Sequence, residues 1–489
     1  MSRRRLDSIA FLYPWMTNAL LCLLGVGLVG LAWQYEQEHV HFWIGFNGVS
    51  AWAALLYLVA AAIVLTQRGN RATLWIVLGF AVAMRAMTVF AVPFSSSDIY
   101  RYVWDGIVQH AHINPYRYVP GNKALTFLRA PHQYVFDNIN RRDYAHTIYP
   151  PVAQMIYYCV TFFSPTVTAM KIAMFGFECV AMGALVALLR RMGRSSAQVL
   201  LYAWCPLLVW EIGGSGHIDA AIIAFVSLAL LSRYCGRPVW TGVFLGAAVL
   251  TKFYPLVLFP ALWQRKDWKM PAVMVGMIAA AYAVYSSVGR HVFGFFDGYE
   301  KEEGMDSGTR YFLLDFTHRL HGMHWVSLHV FDGFCVVVMA GLCWWAWKRT
   351  TVEGYRLCDP THAQKTRMNG APGFDGAPGG VASPEFVKIA MCFAFALMLL
   401  FSPHYPWYIA WLIPFVALVP NLPLMVYIVA FFYLFTTPLA DGTAAKMLIV
   451  NKILYGVVLV AAVLQLVWWG WSILREKKLN AANAGIQNS

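Results

Sequence analysis

Residues 73–93, TLWIVLGFAVAMRAMTVFAVP, followed by 94–106, FSSSDIYRYVWDG, carry the reading of the fold. The first stretch is apolar over the ~20 residues an α-helix needs to cross ~30 Å of hydrocarbon. The second is too polar to continue the crossing. The same change of character recurs along the 489 residues, of which 59% are hydrophobic and 12% charged. The apolar runs are roughly 16–25 residues long, the length of spanning helices. They are continuous and do not alternate, which excludes a β-barrel. The composition therefore predicts an all-α polytopic membrane protein.

The net charge of +13 invites a nucleic-acid reading, but the positions of the basic residues favour topology. Arg3-Arg4-Arg5, Arg68/Arg71, Arg190/Arg191/Arg194, Arg233/Arg237, Arg265/Lys266/Lys269, Lys348/Arg349 and Arg475/Lys477/Lys478 form short clusters between apolar runs. Such clusters mark cytoplasmic helix ends. The nine cysteines include no pair at C-x-x-C spacing, and Cys159, Cys179, Cys205 and Cys392 lie in apolar runs as small hydrophobes. The basic start leads into a long apolar segment, as in a retained first helix.

Working outward from helix three (73–93), helix one covers about 9–33 and helix two about 47–66. The loop between them, with Glu36, Glu38, His39 and His41, reads as external. Residues 94–148 form a long external segment in which aromatic residues favour interfacial helices. Of the stretches 149–164 and 167–190, one dips without spanning, and the sequence does not say which. The run 197–232 makes a hairpin that turns at Gly213-Gly214-Ser215-Gly216. The run 238–263 breaks at Thr251-Lys252-Phe253-Tyr254-Pro255, because an unbroken helix would put Arg237 and Arg265 on opposite faces. Helix 270–288 leads to a second external segment, 289–325, with six acidic and four basic residues. Helix 326–347 returns to Lys348/Arg349, and 350–384 reads as a flexible cytoplasmic loop rich in Gly and Pro. Helices near 386–402, 407–420, 423–438 and 447–473 complete about 12–14 transmembrane or re-entrant helices. The whole of 1–474 reads as one catalytic domain, with 475–489 as a cytoplasmic tail and both termini inside.

This assignment uses only basic clusters and apolar lengths, yet it gathers most of the unusual polar residues on one face. Asp98 follows the outer end of helix three, with Ser97 as a plausible N-cap. In a helix over 98–110, Asp98, Tyr102 and Asp105 share a face by i, i+4, i+7 spacing. Asp105 is better read as the partner of Arg101, four residues earlier, than as a reactive group. Asp98, an acid at a membrane boundary beside three serines, is better read as functional.

The turn before His217 and Asp219 leads into a helix N-terminus, where backbone N–H groups and the dipole suit a phosphate. A tight structural hairpin is the competing reading. Lys252 is an ammonium in an apolar run, which costs roughly 2.5–3.5 kcal/mol unless it is partnered, faces a cavity or snorkels. Tyr254 lies beside it. In Ser402-Pro403-His404-Tyr405-Pro406, two prolines fix a turn that presents His404 and Tyr405.

The ordered set SDIYRYVWDG…INPYRYVP (97–120), IYPPVAQ (148–154), GSGHIDA (214–220), LTKFYPL (250–256) and FSPHYPWY (401–408) resembles the bacterial polyprenyl-phosphate-dependent mannosyltransferases of the GT-C superfamily. The likeness runs from about residue 73 to 420, the short motifs keeping the family's order, and the 350–384 loop departs from it. The resemblance implies a GT-C-type fold in a bacterial inner membrane. It also implies a lipid-linked sugar donor, a glycan or glycolipid acceptor, and catalysis on the external, periplasmic face by an Asp of the first large loop, which falls on Asp98. Arg101, Tyr102, Asp105, His217, Asp219, Lys252, Tyr254, His404 and Tyr405 are then substrate-binding candidates. The scheme requires no cofactor and no metal, and no P-loop or dinucleotide fingerprint is present.

Two other classes remain open. Broken helices and an intramembrane lysine also suit a transporter or lipid-linked sugar flippase. A ligase moving a lipid-linked oligosaccharide shares the donor chemistry.

Overall fold

The computed structural model describes residues 12–37, 42–67, 69–93, 95–320, 322, 323, 325–349, 384–440 and 442–487. Arg3-Arg4-Arg5, Glu38, His39, His41, Arg68 and all but Pro384 of the expected 350–384 loop lie outside the described residues. Among those described, every regular element is helical. Six helices are long and apolar enough to cross a membrane, and two bent pairs would raise the number to eight. The chain is a multi-pass membrane protein.

The spans follow the apolar runs. Helices α1 (Pro14–Gln37), α2 (Phe42–Thr66) and α3 (Arg71–Thr88) come first, with α1 packed on the other two. Asn70 caps α3, its side chain accepting from the Thr73 N–H at 3.0 Å while Thr73 Oγ1 accepts from the Asn70 N–H at 2.9 Å. That reciprocal box satisfies two otherwise orphaned donors. Helix α3 ends earlier than the apolar run predicts, and the chain leaves it before Pro93.

Helix α4 (Asp98–His110) opens the segment expected to hold interfacial helices, and four short helical turns between Lys123 and Asp137 follow it. It is packed inside the protein. Every residue from Ile99 to Val108 is buried, including Tyr100, Tyr102 and Trp104. The cause is close packing on α5 (Pro151–Phe163). A Cβ on Gly106 would stand 2.3 Å from Thr161 Oγ1 and 2.7 Å from the Tyr157 carbonyl oxygen, so only glycine permits the approach.

The open choice between 149–164 and 167–190 is resolved by length. Helix α5 has 13 residues, whereas α6 (Val167–Arg191) has 25 and can cross. The run 197–232 divides into two arms, and the first bends by 57° between Ser196–Ala203 and Pro206–Gly214. Its second arm is α7 (Asp219–Tyr234), packed between α6 and α8 (Pro238–Val249). The break after α8 falls at 250–253, before a short helical turn over Tyr254–Leu258. Helix α9 (Lys269–Val284) bends by 112° into Ser286–Glu302, whose last turns form α10 (Phe296–Glu302). Helices α11 (Leu328–Arg349) and α12 (Glu385–Phe401) pack on each other.

Contacts divide the chain into two compact units, Met1–Val419 and Pro420–Ser489. In the second, α13 (Leu422–Phe435) pairs with α14 (Ala444–Gln487), and the Leu422 N–H donates to Gln465 Oε1 at 2.8 Å. Helix α14 continues past Arg475, Lys477 and Lys478 to Gln487, so most of the expected tail is helical.

Three charged residues inside the apolar helices of the first unit are tied by packing. Arg85 of α3 meets Glu178 of α6 through Nη2–Oε1 at 2.7 Å and Nε–Oε2 at 3.2 Å, both side chains fully buried. Lys171 of α6 donates to the carbonyl oxygens of Thr88, at 2.9 Å, and Ala91, at 2.6 Å. Oxygens of this kind are left over where a helix ends, and a cation there also complements the helix dipole.

Candidate active site

Asp98 is the first residue of α4 and the last before the chain is buried. Ser97 occupies the N-cap position but makes no capping bond; Ser96 Oγ instead accepts from the Asp98 N–H at 3.1 Å. A carboxylate in the first turn is stabilised by the helix dipole. Asp98 opens on a small cleft shared with Arg101, Asn140, Arg141, His146 and Tyr299. Asn140 Nδ2 donates to Asp98 Oδ1 at 3.3 Å.

The carboxylates around Asp98 are paired. Asp105 receives Arg101 Nε on one oxygen at 2.7 Å and Gln154 Nε2 on the other at 3.0 Å. Glu302 meets Arg141 at 2.7 Å, Asp219 meets Lys252 at 2.6 Å, Glu303 meets Arg310, and Glu211 lies 3.3 Å from His217 Nε2. Asp98 makes no ion pair among the described residues, and its one side-chain partner is a neutral amide. Within this group it is the carboxylate with no basic side chain within 4 Å among the described residues.

The sequence candidates distribute as follows. Tyr102 is buried, stacked on Tyr157 at 4.7 Å between centroids and set edge-on to Tyr149, so it does not share an open face with Asp98. Both Asp105 oxygens accept hydrogen bonds within the protein, one from Arg101 and one from Gln154. Arg101 also donates to the Ala145 carbonyl at 3.0 Å, while its buried Nη2 has no hydrogen-bond partner among the described residues. The 213–216 turn is not the open phosphate cradle its glycines suggest. The N–H groups of Ser215, Gly216 and His217 bond to the carbonyls of Trp210, Ile212 and Glu211. A Cβ on Gly216, at φ +74°, would meet Ile99 Cδ1 at 2.3 Å, so the glycine serves close packing.

Asp219, Lys252 and Tyr254 come together as a triad. Buried Asp219 accepts from Lys252 Nζ on one oxygen and from Tyr254 Oη on the other, both at 2.6 Å. His217 stacks on Trp407 at 4.2 Å, and Trp407 on Tyr405 at 4.7 Å, forming a three-ring column. Burial and the Arg310 guanidinium lower the His404 pKa to about 4, so its imidazole is neutral at physiological pH. Tyr405 is held above its ordinary value by burial and by Glu303, with a smaller contribution from Asp98.

Asn140, Arg141, Tyr299 and Arg310 carry no motif and were not singled out. One signal points to the arginines: both lie in segments the basic clusters leave on the external side, where the positive-inside rule disfavours them. Arg310 is fully buried, its guanidinium 4.4 Å from the Phe401 ring centre. No group of three or more His, Cys, Asp or Glu converges among the described residues as a metal site would require.

The family model of glycosyltransferase family 87 matches residues 147–358. His217, Asp219, Lys252 and Tyr254 lie inside that stretch, and Asp98 and His404 outside it. No curated protein and no solved structure matches the chain. Over residues 147–358 the chain is thus similar to glycosyltransferase family 87, which together with its apolar helices supports a membrane glycosyltransferase.

Proposed function

We propose that the protein transfers a hexose from a polyprenyl-phosphate donor to a hydroxyl of a glycan or glycolipid acceptor, at the external face of a bacterial inner membrane. The donor class, mannose as the sugar and a GT-C-type architecture follow from the ordered motifs. The sidedness, with both termini cytoplasmic, follows from the basic clusters. The observation that carries the chemistry is that Asp98, at the mouth of a cleft, has no basic side chain within 4 Å among the described residues, while Asp105, Asp219, Glu302 and Glu303 each have one.

A lipid-linked donor keeps its isoprenoid chain in the bilayer, which brings its anomeric carbon to the boundary where α4 begins. Asp98 accepts the proton of the acceptor hydroxyl as that oxygen attacks the anomeric carbon. The bond from the anomeric carbon to the phosphate oxygen breaks, its electron pair leaves with the polyprenyl phosphate, and configuration inverts. Donors aimed at the departing phosphate lower the barrier. Arg101 Nη2, which has no hydrogen-bond partner among the described residues and belongs to a cleft-lining residue, suits that task. Lys252 can offer N–H groups beyond the one given to Asp219, but the pair brings little net charge. His404, being neutral, acts through a hydrogen bond and not as a cation.

The test is reconstitution of the purified protein in vesicles with a panel of polyprenyl-phosphate sugars and candidate acceptors. Acceptor-dependent transfer that vanishes in Asp98→Asn supports the reading. Transfer that persists in the variant rejects Asp98 as base, and donor translocation without transfer favours a flippase.

A further inference from the structure

Asp98 must be held in place if it is to act, and the chain leading to it is gripped twice by buried polar side chains that the chemistry does not use. The first grip is Lys171, 1% exposed, whose ammonium binds the carbonyl oxygens of Thr88 and Ala91. The second is Glu211, 2% exposed, on the π-helical turn Val209–Gly214. Its Oε2 accepts from Ser95 Oγ at 3.0 Å, and Ser95 Oγ also contacts Ser215 Oγ. Single π-turns in helical segments recur at functional sites. Here the turn places a carboxylate under the residue three positions before Asp98.

We infer that Glu211, through Ser95, is a positioning residue for Asp98, with Lys171 fixing the other end of the same connection. Ala91, Val92, Pro93 and Ser95 lie after α3 and before α4, outside either helical ladder. Side-chain tethers replace that ladder. The need is geometric, since a displacement of ~1 Å between reacting groups can cost about 10²-fold in rate. Glu211 acts here as an acceptor for a hydroxyl, and an amide oxygen can do the same. His217 Nε2 lies 3.3 Å from the same oxygen, and its ring stacks on Trp407.

The inference rests on the reading of Asp98 as base, so its test pairs a kinetic measurement with one that needs no substrate. Full-length protein in vesicles is assayed with polyprenyl-phosphate mannose, and amide exchange is followed across residues 91–98. Ser95→Ala and Glu211→Leu are expected to lose about tenfold or more in kcat, with the donor KM changed by less than about threefold. Exchange across 91–98 rises in both. Glu211→Gln keeps an acceptor and is expected to stay within about threefold of wild type in kcat, with exchange unchanged. Glu211→Gln as impaired as Glu211→Leu overturns the inference, because charge and not the hydrogen bond would then matter. Unchanged exchange in Ser95→Ala, a mild change at a partly exposed residue, overturns it whatever the rates. If Asp98→Asn still transfers sugar, the base assignment falls by itself, and the tether is judged on exchange.

Discussion

Asp219 and Lys252 stand 33 residues apart in the chain and 2.6 Å apart in space, with Tyr254 Oη on the second carboxylate oxygen. The pair joins the first turn of α7 to the break after α8, so the anchored lysine marks where that run stops being helical. It also answers the question an intramembrane lysine poses, since the ammonium has a fixed counter-charge and does not depend on a ligand for one.

A buried pair of this kind is costly to break from one side. Lys252→Met leaves Asp219, fully buried, with only a phenol, and should cost about 3–5 kcal/mol. Combining it with Asp219→Asn should cost less than the two single changes together, because no uncompensated charge remains. Thermal unfolding of the single and double variants in detergent checks this; strictly additive losses would remove the pair from the account. A rise in donor KM in Lys252→Met would add a substrate contact to the structural one, and an unchanged KM would leave the pair purely structural.

Asp98→Asn removes the proton acceptor while keeping shape, and the neutral side chain can still accept from Asn140. Transfer should fall by about 10²–10⁴-fold, the usual contribution of a positioned base. Melting temperature and donor binding should stay close to wild type. A loss of folding in step with the loss of activity would show that residue 98 is structural.

The parts legible in the sequence were those set by local physics. Apolar length and basic flanks located α1, α2, α6 and α11, and the break at 251–255 followed from charge placement alone. Asp98 stood out because a helix start beside three serines is a local signal. Pairing is not local. Nothing in GSGHIDA or LTKFYPL says that the aspartate of one neutralises the lysine of the other. Nor do the glycines of 213–216 declare whether they make room for a phosphate or for Ile99. Arg85, Lys171 and Glu178 were hidden for the same reason, since each sits in a run whose apolar length dominates its reading. The burial of α4 was not legible because its aromatic residues suit either an interface or a packed core, and the close approach of its Gly106 to α5 is not a local signal.

The pair of Arg85 with Glu178 joins two apolar helices, α3 and α6. Both side chains are fully buried, and Arg85 also donates to the Ala203 carbonyl. Glu178→Leu should therefore destabilise by about 3–5 kcal/mol, whereas Arg85→Met with Glu178→Leu should recover much of the loss. Unfolding in detergent would read this directly, and equal stability of the single and double variants would contradict it.

His404 supplies a prediction about pH. In the folded protein its pKa lies near 4, against an ordinary 6.5, because burial and Arg310 oppose its protonation. The unfolded chain takes up the proton first, so below pH 6.5 it binds more protons than the folded state, and stability falls as pH drops toward 4. Below both values the two states bind equally and the loss levels off, at about 3 kcal/mol by linkage. His404→Gln, which cannot titrate, should flatten that part of the stability curve. It should leave stability above pH 7 changed only by the exchange of one hydrogen-bonding side chain for another. The rate of transfer between pH 7 and 8 should show no inflection from this residue, since His404 is already neutral there. A variant whose stability falls with acid as steeply as the wild type would show that the acid sensitivity arises elsewhere.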